Sequence, residues 1–317
     1  MSRFASAILL IGLLAIASLF VGAAGIGISS LMGGEEMPSL LFDSRLPRTL
    51  ALLLAGASTA IAGMITQMLT QNRFVEPAMI GTVEAVTLGL LLVAILAPGM
   101  PMLLRMIVAT GFGLAGTLLF LRILRMVPLR SPLMAPLIGI ALAGVIGAAT
   151  GFIAWRFDLV QALQVWTTGD FSMVLSGRYE LLWISAALTV IAWFAADRFT
   201  LAGLGEDVAT GLGLNHRRIM GLGLVIVAGV TASVVVTVGV IPFLGLVAPN
   251  VVSLVMGDNL RRALPYVALL GAGLTLACDL FGRLVIHPYE LPIGVTMGVL
   301  GAVVFLYLLL RRSAHVA

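Results

Sequence analysis

Leu201–Arg218 reads LAGLGEDVATGLGLNHRR and is the only long polar stretch in the second half of an otherwise apolar chain. Within it, Leu204, Val208 and Leu212 recur every four residues, so a short helix here would carry one apolar stripe. The two acidic residues at its start suit the positive end of a helix dipole, and the glycines that follow are stop signals. Because so short a helix is unstable alone, the stripe predicts a second surface on which it packs.

Composition determines the environment on either side of this stretch. Of the 317 residues, 61% are hydrophobic and 10% are charged, and the mean hydropathy is +1.15. Water-soluble domains are about 45–50% apolar, so this chain has too much apolar surface to hide in a soluble core. We therefore predict an all-α polytopic membrane protein whose residues 1–317 form a single transmembrane domain.

The charged residues exclude several functions. All 18 basic residues are arginine, and a Walker A phosphate-binding loop needs a lysine, so the chain is not a P-loop ATPase. Any ATP hydrolysis must come from a partner. Arginines scattered through an apolar chain are typical of membrane-edge anchors rather than of a nucleic-acid surface. The single cysteine, Cys278, excludes an internal disulfide framework and is interpreted as a buried apolar residue.

The hydropathy pattern predicts ten membrane spans, most of them close to the roughly 20 apolar residues that a bilayer requires and the eighth shorter. The predicted spans are Phe4–Gly34, Pro47–Met68, Ala78–Ala97, a fourth between the Pro98–Pro101 turn and Leu121, Leu133–Ala154, Tyr179–Ala196, Ile219–Val238, Phe243–Met256, Leu264–Phe281 and Leu291–Leu310. Ten spans place both termini on one side. With the termini in the cytoplasm, twelve of the 18 arginines face inward, which is the orientation that the positive-inside rule favours.

Three of the outward arginines, Arg45, Arg48 and Arg283, oppose this bias. Arg45 and Arg48 lie about one turn apart at the start of a helix, where the helix dipole disfavours positive charge. They either reach toward lipid head groups or meet an acidic partner that offsets this cost. Asp279 stands four residues before Arg283, a spacing that predicts an ion pair on one helix face.

A series of short motifs, in one order along residues 45–312, resembles one transporter family. The motifs are Arg45-Leu46-Pro47-Arg48, Gly56-Ala57, Gly63, Gln67, Asn72, Pro77, Gly81, Leu137-Ile138-Gly139-Ile140-Ala141, Trp166-Thr167-Thr168-Gly169, Leu204-Gly205, Ala209, Leu212-Gly213, Phe243-Leu244-Gly245-Leu246, Pro249, Arg261, Leu264-Pro265 and Glu290-Leu291-Pro292-Ile293-Gly294. This pattern is similar to the FecCD-type permeases of ABC importers, which take up iron chelates, haem and cobalamin.

The resemblance implies a type II ABC importer fold with about ten helices per subunit. It also implies partners: a second permease, identical or related, two cytoplasmic ATP-binding subunits and a soluble substrate-binding protein. By this reading the cytoplasmic loop 201–217, between the sixth and seventh spans, holds a coupling helix that docks on the ATPase. Its residues are Leu204, Gly205, Glu206, Asp207, Val208, Ala209, Gly211, Leu212 and Gly213.

Two further roles follow from the same resemblance. Arg45, Arg48 and Arg283 match the arginines that meet glutamates of the binding protein. The chain itself needs no cofactor or metal, because the partner subunit binds ATP and magnesium and an iron chelate arrives already coordinated. The expected location is the bacterial inner membrane.

Departures from the family pattern bear on the substrate. The run from Asn72 to Pro77 reads NRFVEP where the family commonly has a second proline, and Asn250 and Ser253 replace a more usual histidine and arginine. The Asn-Arg-Phe-Val form resembles the ferric-siderophore branch. The sequence therefore predicts a ferric-siderophore importer, with a cobalamin or haem importer as the alternative.

Glu84 is an unusual carboxylate within a predicted span. Charges inside a bilayer face a cavity or a partner, so Glu84 either lines the transport path or makes a structural hydrogen bond. An ion-coupled secondary transporter would need equivalent acids in both halves, and the second half offers none. An intramembrane protease would need a catalytic pair that the sequence does not contain.

Overall fold

The computed structural model of the chain describes residues 2–21, 41–127, 133–257, 259–286 and 288–313. Over these ranges it contains thirteen α-helices and no β-strand. The helices are α1 (Ser2–Phe20), α2 (Leu46–Leu69), α3 (Thr82–Leu96), α4 (Met102–Met126), α5 (Met134–Arg156), α6 (Val160–Thr167), α7 (Leu182–Phe194), α8 (Ala196–Ala202), α9 (Glu206–Gly211), α10 (His216–Val238), α11 (Leu244–Met256), α12 (Leu260–Val285) and α13 (Ile293–Ser313). A π-helical turn, Leu41–Arg45, leads into α2, and a 3₁₀ turn, Pro77–Met79, precedes α3.

Each of the ten predicted spans corresponds to a helix, which confirms the all-α membrane architecture. By length and apolar composition alone, six helical segments can cross a bilayer, and the α7–α8 pair, bent by 67°, makes a seventh. The remaining three, α1, α3 and α11, are shorter apolar helices. Of the first predicted span, Phe4–Gly34, residues 22–34 lie outside the described residues.

Helix α2 forms the centre of the bundle because glycines let its neighbours approach closely. Gly56 of α2 faces Gly271 of α12, and Gly63 of α2 faces Gly245 of α11. A Cβ atom at Gly56, Gly63 or Gly271 would overlap the backbone opposite, and one at Gly245 would lie only 3.1 Å from the Gly63 Cα. Small residues at crossing points are the usual means by which helices pack in lipid. Thr275 of α12 adds a hydrogen bond to the Leu52 carbonyl oxygen of α2, at 3.0 Å. Gly56, Gly63 and Gly245 of the family-like motifs are therefore packing residues.

Two helices begin at backbone breaks rather than at the ends of long apolar runs. Helix α3 follows Gly81 at φ 79°, and α11 follows Phe243 at φ 61°. Because α3 begins at Thr82, Glu84 is its third residue and lies in the first turn. The hydropathy pattern starts this span at Ala78 and places Glu84 about seven residues in, which is wrong because the 3₁₀ turn and Gly81 delay the helix.

The helices differ sharply in how much of their apolar surface is buried. In the most apolar window of each, 72% of residues are buried in α2 and α10, but only 17% in α5 and 22% in α13. The latter two helices therefore present wide apolar faces to lipid or to another subunit.

Candidate functional site

The predicted coupling segment folds as a short helix with an exposed apolar stripe. Helix α9 begins after Gly205, whose φ of 109° suits glycine, and carries two acidic residues in its first turn. The side chains of Leu204, Val208 and Leu212 are 60%, 48% and 61% exposed, whereas Ala209 on the opposite face is fully buried. The helix is shorter than the Leu204–Leu214 range that the sequence predicts, so Leu204 and Leu212 flank it.

The end of α9 is fixed by its own backbone hydrogen bonds. The N–H of Leu214 donates to the Ala209 carbonyl and that of Gly213 to the Thr210 carbonyl, with Gly213 at φ 79°. This is the Schellman arrangement, which requires a left-handed residue at that position. Asn215 then caps α10 by accepting a hydrogen bond from the Arg218 N–H at 3.1 Å. The stop signals in the sequence therefore act as expected, and α9 is held in one orientation.

The coupling segment contacts the bundle through α8 and the inner end of α2. Phe199 and Ala202 of α8 are buried, and a side chain at Gly203 would overlap the Met68 sulfur of α2. A cavity of about 420 Å³ lies beside this contact. Its lining residues are Met64, Gln67, Met68, Gln71, Asn72, Arg73, Thr200, Gly203, Leu204, Pro249, Ser253 and Asn259. The buried Gln67 amide Nε2 has no hydrogen-bond partner among the described residues.

Glu76, in the loop between α2 and α3, caps the start of α11. Its side chain is 3% exposed, and Oε1 accepts a hydrogen bond from the Phe243 N–H at 3.0 Å. The carboxylate thus lies at the positive end of the α11 dipole, which is the favourable position for a negative charge. From the other side, the Asn250 amide donates to the Arg73 carbonyl oxygen at 2.8 Å. Together these contacts fasten the loop to α11.

Sequence reasoning missed this role of Glu76, although the residue belongs to a run that departs from the family pattern. Asn250, which also departs from the family pattern, holds the same loop by its hydrogen bond to the Arg73 carbonyl oxygen. Two departures far apart in the sequence were visible, but a single sequence does not show that the two positions contact each other.

At the opposite end of α2, the charged residues form a compact cluster with partners inside the chain. Arg48 donates to Asp279 at 2.7 Å and to Glu290 at 2.8 Å. Arg283 pairs with the other oxygen of Asp279, which confirms the predicted i,i+4 pair. The Arg283 side chain is 5% exposed. We call Arg45, Arg48, Asp279, Arg283 and Glu290 the outer cluster.

Helix α1 closes the outer cluster. Arg283 also donates to the Ser18 and Val21 carbonyl oxygens, at 3.1 and 2.8 Å, and Arg45 donates to the Leu19 carbonyl at 2.9 Å. Arg48 and Arg283 are therefore neutralised within the chain, and Arg45 is bonded to a neutral acceptor. Docking of a binding protein on these arginines stays a prediction.

Glu84 lies against α5. Its Cγ is 3.7 Å from where a side chain at Gly147 would begin, and its Oε2 atom is buried without a hydrogen-bond partner among the described residues. Thr87 bonds the Glu84 backbone carbonyl and leaves the carboxylate untouched. The alternative of a structural hydrogen bond to a neighbouring helix therefore gains no support.

A glycine-packed bundle of apolar helices, some of them broken, with a short exposed amphipathic helix at one end, is the architecture of a polytopic membrane permease. The chain belongs to the FecCD transport family, whose model matches residues 8–311. This confirms the family that the motifs predict.

Similar proteins narrow the class further. The chain is 43% identical to the petrobactin import system permease protein YclN of Bacillus subtilis strain 168, over 97% of this chain and 98% of that one. It is 40% identical to the ferric-anguibactin transport system permease protein FatD of Vibrio anguillarum, over 93% and 95% of the two chains. A solved metal-chelate type ABC transporter in an inward-facing conformation matches with a TM-score of 0.79 at 25% identity, over 97% and 98% of the two chains.

The chain is therefore a multi-pass inner-membrane permease of an ABC importer for a ferric siderophore. As a permease subunit, it is the transport component rather than an enzyme.

Proposed function

We propose that this permease imports a chelate of the petrobactin or anguibactin kind, driven by separate ATP-binding subunits. The two siderophore permeases named above, at 43% and 40% identity over nearly the whole chain, support this choice of substrate. The exposed stripe of Leu204, Val208 and Leu212 is the observation that supports a separate ATPase as the energy source. Half-exposed leucines on a rigid helix at a polar membrane face favour a protein partner over solvent.

In this proposal α9 transmits the nucleotide cycle to the bundle. Its stripe docks on an ATP-binding subunit, while Ala209 and the Schellman turn hold it to the chain. Because α8 packs on the inner end of α2 and α10 continues from α9, a displacement of α9 reaches two packed helices directly. The loop that Glu76 and Asn250 fasten to α11 adjoins the same cavity, so α11 would move with it.

The working transporter contains two permeases, two ATP-binding subunits that hold ATP and magnesium, and a substrate-binding protein. The absence of lysine from this chain supports a separate ATPase, and the wide apolar faces of α5 and α13 offer surface for a second permease. Both termini lie in the cytoplasm, as the arginine distribution favours. No cofactor or metal is held by the chain, and iron passes through as cargo.

The outer cluster is the proposed docking point for the binding protein. Its three arginines and two acids sum to +1, so it attracts acidic side chains. Asp279 is 4% exposed but Glu290 is 19% exposed. An incoming carboxylate can therefore exchange with Glu290 on Arg48 more readily than it can displace Asp279.

Glu84 is the proposed polar residue of the transport path. Its carboxylate, of which the Oε2 atom has no hydrogen-bond partner among the described residues, lies beside Gly147 of the poorly buried helix α5. A charge in this position needs water, a substrate group or a second subunit to stabilise it. Glu84→Gln should then change uptake without changing assembly, and equal uptake by variant and wild type would return Glu84 to a structural role.

The substrate is tested by uptake of radioactive iron into cells that carry this permease as their sole siderophore permease, with its partner subunits. Iron supplied as ferric petrobactin or ferric anguibactin should accumulate, whereas labelled cobalamin and haem should not. Uptake of cobalamin or haem, with neither ferric chelate transported, would overturn the substrate assignment.

A further inference from the structure

A long apolar groove runs along α12, between α1 and α11, and takes no part in the coupling segment or the outer cluster. Its volume is about 630 Å³. The lining residues are Ala7, Leu10, Ile11, Leu14, Val251, Val252, Val255, Met256, Tyr266, Leu269, Leu270, Gly273, Leu274 and Ala277. Tyr266 is the only one of these side chains with a hydrogen-bonding group, so the groove favours a hydrocarbon occupant.

The groove has the length of one leaflet. Along α12 it extends from Tyr266 to Ala277, which at about 1.5 Å per residue is about 16 Å. The hydrocarbon core of a bilayer is about 30 Å thick, so one leaflet contributes about 15 Å. A single acyl chain standing along α12 therefore matches the groove from end to end.

The groove opens in the inner leaflet. The start of α12 lies at the coupling end of the molecule, because Arg261 pairs with Asp197 of α8 and Asn259 lines the cavity beside Leu204. At this end Tyr266 packs edge-to-face on Phe4, with ring centroids 5.2 Å apart. Tyrosine is enriched at the membrane–water interface.

A positive charge stands at the head-group end of the groove. Arg262 is exposed and lies one helical turn before Tyr266, so both residues share the face of α12 that lines the groove. A guanidinium at the level of the head groups attracts anionic phospholipid.

We propose that this groove is a binding site for an anionic phospholipid of the inner leaflet, with one acyl chain along α12 and the head-group phosphate at Arg262. The charge at Arg262, the single-leaflet length and the continuous apolar lining point to the same ligand. A second copy of the chain can pack on the larger apolar faces of α5 and α13, so we assign the narrow groove to lipid.

The test uses the full chain in bilayers with equal amounts of phosphatidylglycerol and phosphatidylcholine, one of which carries a photoactivatable acyl chain. Labelled phosphatidylglycerol should attach to peptides that contain residues 251–256 and 266–277. Arg262→Gln should lower the preference for phosphatidylglycerol about fivefold, whereas Arg122→Gln, at another exposed inner arginine, should not. Equal labelling of the groove by both lipids would overturn the head-group assignment.

Filling the groove tests the acyl-chain site separately. Val255 is 69% exposed and Leu10, on the opposite wall, is 59% exposed, so either position tolerates a larger side chain. Val255→Trp should reduce groove labelling at least about fivefold, and Leu10→Trp should repeat the result if the first variant folds poorly. Val190→Trp, on the exposed face of α7, is the matched control. Unchanged groove labelling in both filled variants, or cross-links to a second protein copy there, would overturn the proposal.

Discussion

The two ends of the bundle differ in whether their functional side chains have partners within the chain. At the outer end, Arg48 and Arg283 are paired with carboxylates of the same chain, and their side chains are only 13% and 5% exposed. At the inner end, the three apolar residues of the stripe, Leu204, Val208 and Leu212, are about half exposed or more. The outer end is thus satisfied within the chain, whereas the inner end leaves apolar surface exposed. Under the proposed function, a binding protein competes with internal contacts, whereas an ATPase covers an exposed surface.

This difference has energetic consequences for the two docking events. Breaking one side of a buried ion pair costs about 3–5 kcal/mol, because a charge is left without a counter-ion. Burying a leucine or valine completely contributes about 1.5–3 kcal/mol, and those of the coupling segment are about half buried already. We therefore expect permanent association at the inner end and transient, exchange-type docking at the outer end.

The largest expected effect is from removing the carboxylate that both outer arginines share. Asp279→Asn leaves the buried Arg283 without a carboxylate partner and Arg48 with Glu290 alone, and should lower the free energy of unfolding by about 3–5 kcal/mol, measured by thermal unfolding in detergent. Asp197→Asn is the control, since its pair with Arg261 is more than half exposed on both sides and should contribute at most about 1 kcal/mol. Equal stability of the two variants would contradict the picture of a self-sufficient outer cluster.

The second prediction breaks the inner end without unfolding it. Val208→Asp puts a charge into the apolar stripe and should weaken retention of the ATP-binding subunit at least about tenfold, measured by co-purification. The fold should persist because Val208 is 48% exposed. Thr210→Asp, on the same helix but off the stripe, should leave the complex intact. Wild-type stoichiometry in the Val208 variant would count against α9 as the coupling helix.

The third prediction concerns the cap that fastens the α2–α3 loop to α11. Glu76→Ala leaves the buried Phe243 N–H without an acceptor, which costs about 1–3 kcal/mol, again measured by thermal unfolding. Glu76→Gln keeps a neutral acceptor and should cost less, the remainder being the loss of charge at the helix dipole. If both variants are as stable as the wild type, the contact does not hold the loop.

The smallest effect should be at the outer rim. Arg45 bonds a neutral carbonyl rather than a carboxylate, so Arg45→Glu should slow association of the binding protein several-fold and alter its salt dependence, with little change in stability. Surface plasmon resonance measures this, with Arg156→Glu as the control at another exposed outer arginine. Arg283→Glu is a poorer test of docking, because Arg283 is buried and its replacement would destabilise the fold. Unchanged association would remove Arg45 from the docking surface.

The sequence predicted those features that depend on local spacing. Hydropathy located all ten spans, the four-residue repeat predicted the apolar stripe of α9, and the i,i+4 spacing predicted the pair of Asp279 and Arg283. Helix boundaries were less accurate, because a 3₁₀ turn and Gly81 delay α3 without changing the apolar composition.

Contacts between distant segments could not be predicted from local patterns. The pair of Arg48 and Asp279 joins residues 231 positions apart, and Glu76 reaches Phe243 across 167 positions. Nothing in the spacing of either residue indicates its partner, since the contact exists only after α2 has packed on α11 and α12.

Proteoliposomes that contain the permease with its partner subunits test most directly whether the inner end couples ATP hydrolysis to import of a ferric siderophore. Uptake of iron supplied as the ferric siderophore with its binding protein should require ATP on the coupling-segment side, should fall to background in Val208→Asp and should persist in Thr210→Asp. Uptake driven by an ion gradient without ATP, and retained in Val208→Asp, would contradict the account.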